Sequence, residues 1–259
     1  MNFVFDALQY IFDPGNYIAG SRSPLPIQDR IGEHIFYTLV AVVVAAAIAL
    51  PLGLFIGHTG RGRQFVIAFT AAMRALPTLG LLYFFTMLLQ GTVGFTQTAF
   101  IGSIVALIIL AIPSTLGGAY SGVESVDRQT VDAARANGMT EWQILTLVEI
   151  PLALPLIIGG LRSSVLQVIA TATIASFIGL GGLGRIISEG IALNNYPVML
   201  AGAFLVTALA LIVDGLFALA QRLTRTRGLQ DSSRELRKIL RDRPHGQVAS
   251  VGSPTNEGK

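Results

Sequence analysis

Hydrophobic positions along this chain fall into long blocks rather than short alternations. A bilayer core takes about 20 consecutive apolar residues in helix. Five stretches meet that demand: Phe36 to Ile56, Phe65 to Leu89, Ala99 to Ala119, Leu152 to Ile178 and Val198 to Ala220. The first and third carry no charge, the second only Arg74, the fourth only Arg162 and the fifth only Asp214. Pro51, Pro77 and Pro113 lie inside the first three, positions that packed membrane helices tolerate and that predict kinks. The pattern predicts an all-α membrane protein of about five transmembrane helices. Its expected divisions are an external N-terminal segment (1–31), a transmembrane domain (32–222) and a polar, basic, partly disordered tail (223–259).

Composition agrees with lipid as the main solvent: 13% of residues are charged, against about 25% in soluble domains. The distribution of Lys and Arg then orients the chain. Thr59 to Gln64, Tyr120 to Ile150 and the tail after Ala220 together hold thirteen, whereas the opposite connections hold three, Arg22, Arg30 and Arg185. Basic residues stay cytoplasmic, which predicts the N-terminus outside and the C-terminus in the cytoplasm. A basic run in the tail, Arg234 to Arg243, reads as solvated, with contact to anionic membrane lipids as the alternative. The opening residues contain Asp6 and Asp13 and no basic leader, unlike a signal peptide. They read as a short amphipathic segment at the membrane surface or as an irregular start.

The longest cytoplasmic connection, from Glu124 to Pro151, reads as two short helices. Ser125 is expected to cap the first, with Asp127 in its first turn and Gly138 ending it in a left-handed conformation. Thr140 and Gln143 form a capping box for the second, and Pro151 is expected to stop it and begin the next span. Ala133, Ala134, Met139, Trp142 and Leu145 present a small and apolar surface outside the bilayer, the kind that meets another protein.

Asp132, Ala133 and Ala134, then three residues, Gly138, nine residues, and Val148, Glu149, Ile150 and Pro151 resemble the EAA signature of permease subunits in ATP-binding-cassette (ABC) importers, E-A-A-x3-G-x9-I-x-L-P. Asp, Val and Ile replace the usual Glu, Ile and Leu. In that family the loop is a coupling helix that docks on a separate ATPase subunit. The resemblance runs from about residue 32 to 222 and implies the methionine-permease-like fold. Within it the chain is most similar to osmoprotectant permeases for glycine betaine, carnitine, choline or proline. It implies partners: ABC ATPase subunits, a second permease subunit, identical or related, and an extracytoplasmic solute-binding protein. The implied location is the prokaryotic plasma membrane. A permease for another small solute such as an amino acid is the nearest alternative, and an ion-coupled carrier or a membrane enzyme the more distant ones.

Other motifs change the picture less. Gly179, Gly181, Gly182 and Gly184 spell G-x-G-x-x-G, but a dinucleotide site needs a preceding strand, so they predict an external turn followed by a short helix. Charges within a span cost about 2.5 to 3.5 kcal/mol and tend to pair. Arg162 and Asp214 fall at similar depth and are expected to pair between the fourth and fifth spans, with snorkelling to the interface as the alternative. Arg74 reads as a snorkelling residue. Tyr83, Phe84 and Phe85 could offer aromatic faces to a methylated ammonium, although two at most can face one path, and lipid contact or packing is the plainer reading. His34, His58 and His245 are too scattered for a metal site, and no catalytic triad spacing occurs. The expectation is a non-catalytic subunit with no cofactor, no metal and no nucleic-acid partner.

Overall fold

The structure is a computed structural model, which describes residues 2–18, 25–92 and 94–224. Among the described residues the regular elements are helices. A ten-residue helix α1 (Phe3–Phe12) and a 3-10 turn (Pro14–Tyr17) precede α2 (Ile27–Thr59). Next come α3 (Arg63–Ala75), α4 (Thr78–Leu88) and α5 (Phe95–Glu124). Two short helices, α6 (Arg128–Ala136) and α7 (Glu141–Ile144), lead through a π-helical turn (Leu145–Glu149) into α8 (Ile150–Ala175). A 3-10 turn (Ser176–Ile178), α9 (Gly184–Ala192) and α10 (Tyr196–Thr224) complete the bundle.

Four helical stretches are long and apolar enough to cross a membrane, and α3 and α4, which bend by 88° at their junction, make a fifth when the pair is counted as one span. The expected second span is therefore broken rather than kinked. Leu76 is extended (ψ 132°) and Pro77 caps α4, because the residue before a proline is driven out of the helical region and proline itself cannot donate to the preceding turn. Pro51 and Pro113, by contrast, lie within continuous α2 and α5. The helix α2 begins at Ile27, before residue 32, and α10 continues to Thr224, past residue 222. The rest of the expected polar tail lies outside the described residues.

The helix α5 is central: 67% of its apolar window is buried, against none of the corresponding window of α10. It is held by backbone-level contact. Gly53 and Gly57 of α2 lie so close to α5 that a Cβ would sit 2.7 Å from those of Ala119 and Val123. On the other side, a Cβ on Gly118 would lie 2.5 Å from the Gly160 Cα of α8. Gly53 and Gly57, like Gly118 and Gly122, are four apart, the spacing that lets membrane helices approach closely. Around this core the outer faces stay apolar, with Phe36, Leu39, Val43 and Phe55 of α2 and Leu211, Ile212, Leu216 and Leu219 of α10 all exposed. A surface of that kind suits lipid, not water.

At the end of the bundle where α2 starts, α1 buries Ala7 and sets Phe3 edge-on to Tyr196 of α10, ring centroids 6.0 Å apart. Arg30, expected in an external leader, is instead buried in α2 and pairs with Glu189 of α9 at 3.0 Å.

Candidate functional site

The connection between α5 and α8 is a fixed structure rather than a slack loop. Asp127, not Ser125, is the N-cap of α6, its carboxylate accepting from the Gln129 N–H at 3.0 Å. Ser125 belongs to the end of α5 and donates to the Gly122 carbonyl at 2.7 Å. A carboxylate at the cap also complements the helix dipole, which favours Asp127 for that position. Gly138 takes φ +83° and turns the chain, and a Cβ there would meet open space, so the glycine is required by backbone conformation and not by crowding. Both hydrogen bonds of the Thr140–Gln143 capping box form. Arg135 bridges Glu141 (2.7 Å) and Asp132 (3.0 Å), and the bond to Glu141 raises the guanidinium pKa.

Pro151 does not stop the second helix. The π turn carries α7 directly into α8, so that Glu141 to Ile178 form one helical rod of 38 residues. A proline ring collides with the carbonyl four residues earlier in a regular helix. The wider π turn, closed by the Ile150 N–H on the Leu145 carbonyl, supplies room at that point. Of the apolar residues expected at the surface, Ala133 and Trp142 are exposed and Met139 is half-buried. Trp142 is 72% exposed and Leu147 65%. Ala134 faces inward and Leu145 is half-buried, because Ala134, Ile144 and Glu149 form the side that packs on the bundle. Val148 and Ile150 are half-buried and Pro151 is exposed.

The attachment of this loop to α2 was not visible in the sequence. Glu149 is 5% exposed, and its carboxylate accepts from Nδ1 of His58 at 2.5 Å, while Nε2 of His58 lies 3.3 Å from Glu141. The three side chains link the end of α2 to both α7 and the π turn. Removing His58 leaves Glu149 buried without its partner, a loss of about 1–3 kcal/mol. Hydrogen exchange over residues 128–149 in His58→Ala is therefore expected to accelerate by about 5- to 150-fold, with exchange in α10 unchanged.

Within the bundle, Arg162 of α8 and Asp214 of α10 meet in a two-pronged pair, Nε to Oδ1 and Nη2 to Oδ2 both at 2.6 Å. Gln221 accepts from Nη1 of Arg162 at 3.3 Å and donates to the Pro155 carbonyl at 3.0 Å. Such planar geometry suits Arg with a carboxylate. Arg162→Asp and Asp214→Arg are each expected to lower the amount of folded protein in the membrane, and the exchanged double variant to recover most of it. Additive losses would show the pair to be incidental.

The aromatic run divides. Tyr83 lines a cavity of about 380 Å³ with Thr86, Met87, Gln90, Thr98 and Ile178. Phe84 is exposed and Phe85 packs into the central core. At the same end of the bundle, Gly179 (φ +100°) and Gly182 (φ +78°) form the turn. The Gly182 N–H donates to Glu33 of α2 at 2.7 Å. A Cβ at Gly181 would strike Glu33, and one at Gly184 the Thr173 carbonyl. No cluster able to hold a metal occurs among the described residues.

The sequence matches the family described as "Binding-protein-dependent transport system inner membrane component" over residues 49–226. It is similar to the glycine betaine/carnitine/choline transport system permease protein OpuCB of Bacillus subtilis (strain 168), 37% identical over 201 residues that cover 78% of this chain and 89% of the relative. The carnitine transport permease protein OpuCB of Listeria monocytogenes is 37% identical over 189 residues, 73% of this chain and 83% of that one. Among solved structures, the MetNI methionine ABC transporter in inward facing conformations superposes with a TM-score of 0.67 over 77% of this chain and 96% of that chain at 21% identity, which shows a common fold. A multi-pass helical bundle, a match over most of the chain and relatives at this identity agree: the chain belongs to the binding-protein-dependent transport system inner membrane components, the permease subunits of ABC importers.

Proposed function

We propose that this permease moves a methylated ammonium osmoprotectant, of the glycine betaine, carnitine and choline type, into the cell. The cargo class is taken from the names of its relatives. The observation that carries the mechanism is the α6–Gly138–α7 loop, capped at both helices, tied to α2 through His58 and presenting Trp142 outward. A separate ATPase subunit docks on Asp132, Ala133, Met139 and Trp142, and this end of the bundle faces the cytoplasm, as the basic connections support. ATP binding and hydrolysis occur on that partner. Because α7 runs unbroken into α8, a displacement at Trp142 moves the whole rod and with it the Arg162–Asp214 clamp to α10.

The opposite end, with the glycine turn and α9, receives the solute-binding protein. A second permease subunit completes the passage, to which the Tyr83 cavity contributes. Radiolabelled glycine betaine and choline uptake into proteoliposomes holding the permease, ATPase and binding protein tests the reading. ATP-dependent uptake is expected. Uptake driven by an ion gradient without ATP or partners would overturn it.

A further inference from the structure

The outer surface of the bundle changes character on α8. Exposed side chains of α2 and α10 are large and apolar, Leu39, Val43, Leu211 and Ile212 among them. Between Leu156 and Phe177 the exposed residues of α8 are instead Ser163 and Ala170, with Gln167 half-buried between them. Positions four and three apart share one helix face, so the three form a single stripe. They belong to the rod Glu141–Ile178, which is long and apolar enough to cross a membrane by itself. Gln167 lies twelve residues before Gly179 and sixteen beyond Pro151, about 18 Å and 24 Å at 1.5 Å per residue, well inside both ends of the span.

Only half of the Gln167 amide is engaged. Its Oε1 accepts from the Ser114 hydroxyl of α5 at 2.9 Å, and among the described residues its Nε2 has no partner. The bond to Ser114 fixes which end of the amide turns away from α5, and it leaves two N–H donors at an open face within the span. Lipid tails cannot accept from them, and an unpaired amide in hydrocarbon is costly, whereas water or a polar solute can accept. The stripe also continues in a definite direction. Ile174 lies four residues beyond Ala170, and Ile178, four further, lines the Tyr83 cavity with Thr86 and Gln90. A strip that is small and polar within the span and reaches that cavity at its outer end suits water and a moving solute, not lipid.

We infer that this face of α8 is a wall of the passage, and that the Gln167 amide donates to the oxygen of the solute as it moves by. The second part rests on the proposed cargo class. A methylated ammonium offers no acceptor, but each solute of that class carries an oxygen that does: a carboxylate in glycine betaine and carnitine, a hydroxyl in choline. Ser163 and Ala170, about a turn to either side, are small enough to leave room for the trimethylammonium group. Ser114 is a positioning residue, which holds the amide with its donors facing the passage.

The first test needs no cargo. The chain has no cysteine, so Ser163→Cys and Ala170→Cys each give it one thiol on the stripe, and Ile212→Cys and Leu216→Cys one on the apolar face of α10. In the reconstituted complex, a methanethiosulfonate carrying a trimethylammonium group is expected to label the stripe about 50-fold or more faster than α10, since a fixed charge does not enter lipid readily. Labelling of the stripe only by an apolar maleimide places it in lipid, and labelling by neither reagent places it against another protein surface; either result overturns the inference. Uptake then tests the amide. Gln167→Leu, compared at equal amounts of chain in the membrane, is expected to lower glycine betaine and choline uptake by about fivefold or more. Ser114→Ala, which breaks the same bond between α5 and α8, is expected to lower them by less than about twofold. Equal losses in the two variants, or no loss in Gln167→Leu, overturn the role of the amide. Wild-type complex that imports neither solute while the stripe labels as expected removes the cargo class and the cargo contact, and the wall of the passage stands.

Discussion

Gly118→Leu is expected to abolish accumulation of folded permease in the membrane, while Gly117→Ala, one position away, leaves it unchanged. Both are helical glycines, where alanine would ordinarily gain about 1 kcal/mol of helix propensity. Their surroundings are opposite. The Gly118 backbone lies against that of Gly160, whose own Cβ would fall 2.7 Å from the Gly118 Cα and 2.9 Å from the Ser114 carbonyl. No side chain there can step aside, because the obstructing atoms are main chain. The α5–α8 crossing must widen, and the contacts of both helices in the central core are lost with it. Overpacking costs about 1–3 kcal/mol even where neighbours can yield. A thermal melt in detergent reads the difference: Gly118→Leu without a cooperative transition, Gly117→Ala with a midpoint at or slightly above that of the wild type. Equal behaviour of the two variants would show that the crossing is looser than its geometry.

Trp142→Ala is expected to leave the bundle folded and to uncouple it. The ring is mostly exposed, so little packing is lost, and the Thr146 hydroxyl bond uses only the Trp142 carbonyl. What disappears, on the proposed docking, is the anchor presented to the ATPase. An aromatic hot spot in a protein interface contributes about 2–4 kcal/mol, which lowers transport by about 30-fold or more at limiting ATPase. Ile144→Ala is the useful contrast. Ile144 is fully buried beneath the same turn, so its truncation loosens the loop by about 2–5 kcal/mol and reduces the amount of folded loop as well as its coupling. Gly138→Val belongs with Ile144, since a β-branched residue at positive φ is strained by about 1–3 kcal/mol. Wild-type uptake by Trp142→Ala, with the ATPase bound at its usual affinity, would remove Trp142 from the contact.

Local chemistry was legible in the sequence wherever it depends on short spacing. The capping box at Thr140 and Gln143, the left-handed Gly138 and the apolar spans follow from residues a few positions apart. Arg162 and Asp214 were legible for a different reason: a lone charge in each of two adjacent spans at matching depth leaves few partners. The break at Leu76 and Pro77 was not, because proline within a span is compatible with both a kink and a full bend, and the choice is made by how α4 packs on α5. His58 and Glu149 are 91 positions apart, and Arg30 and Glu189 are 159, separations at which no periodicity operates. The assignment of Ser125 as a cap failed because two capping residues two positions apart, Ser125 and Asp127, compete, and the end of α5 claims the first. The glycine contacts had a signal, the four-residue spacing at Gly53 and Gly57 and at Gly118 and Gly122, but spacing alone does not say which helix each pair meets.

The central claim is that energy enters through the α6–α7 loop and cargo through the opposite end. Single cysteines in the cysteine-free chain test it most directly, with Ala133→Cys on the loop and Leu193→Cys, highly exposed after α9, at the other end. With a short bifunctional thiol–amine cross-linker in the reconstituted complex, Ala133→Cys is predicted to link to the ATPase and Leu193→Cys to the solute-binding protein. Cross-linking of the ATPase at Leu193→Cys, or its absence at Ala133→Cys in a complex that transports, would contradict the account.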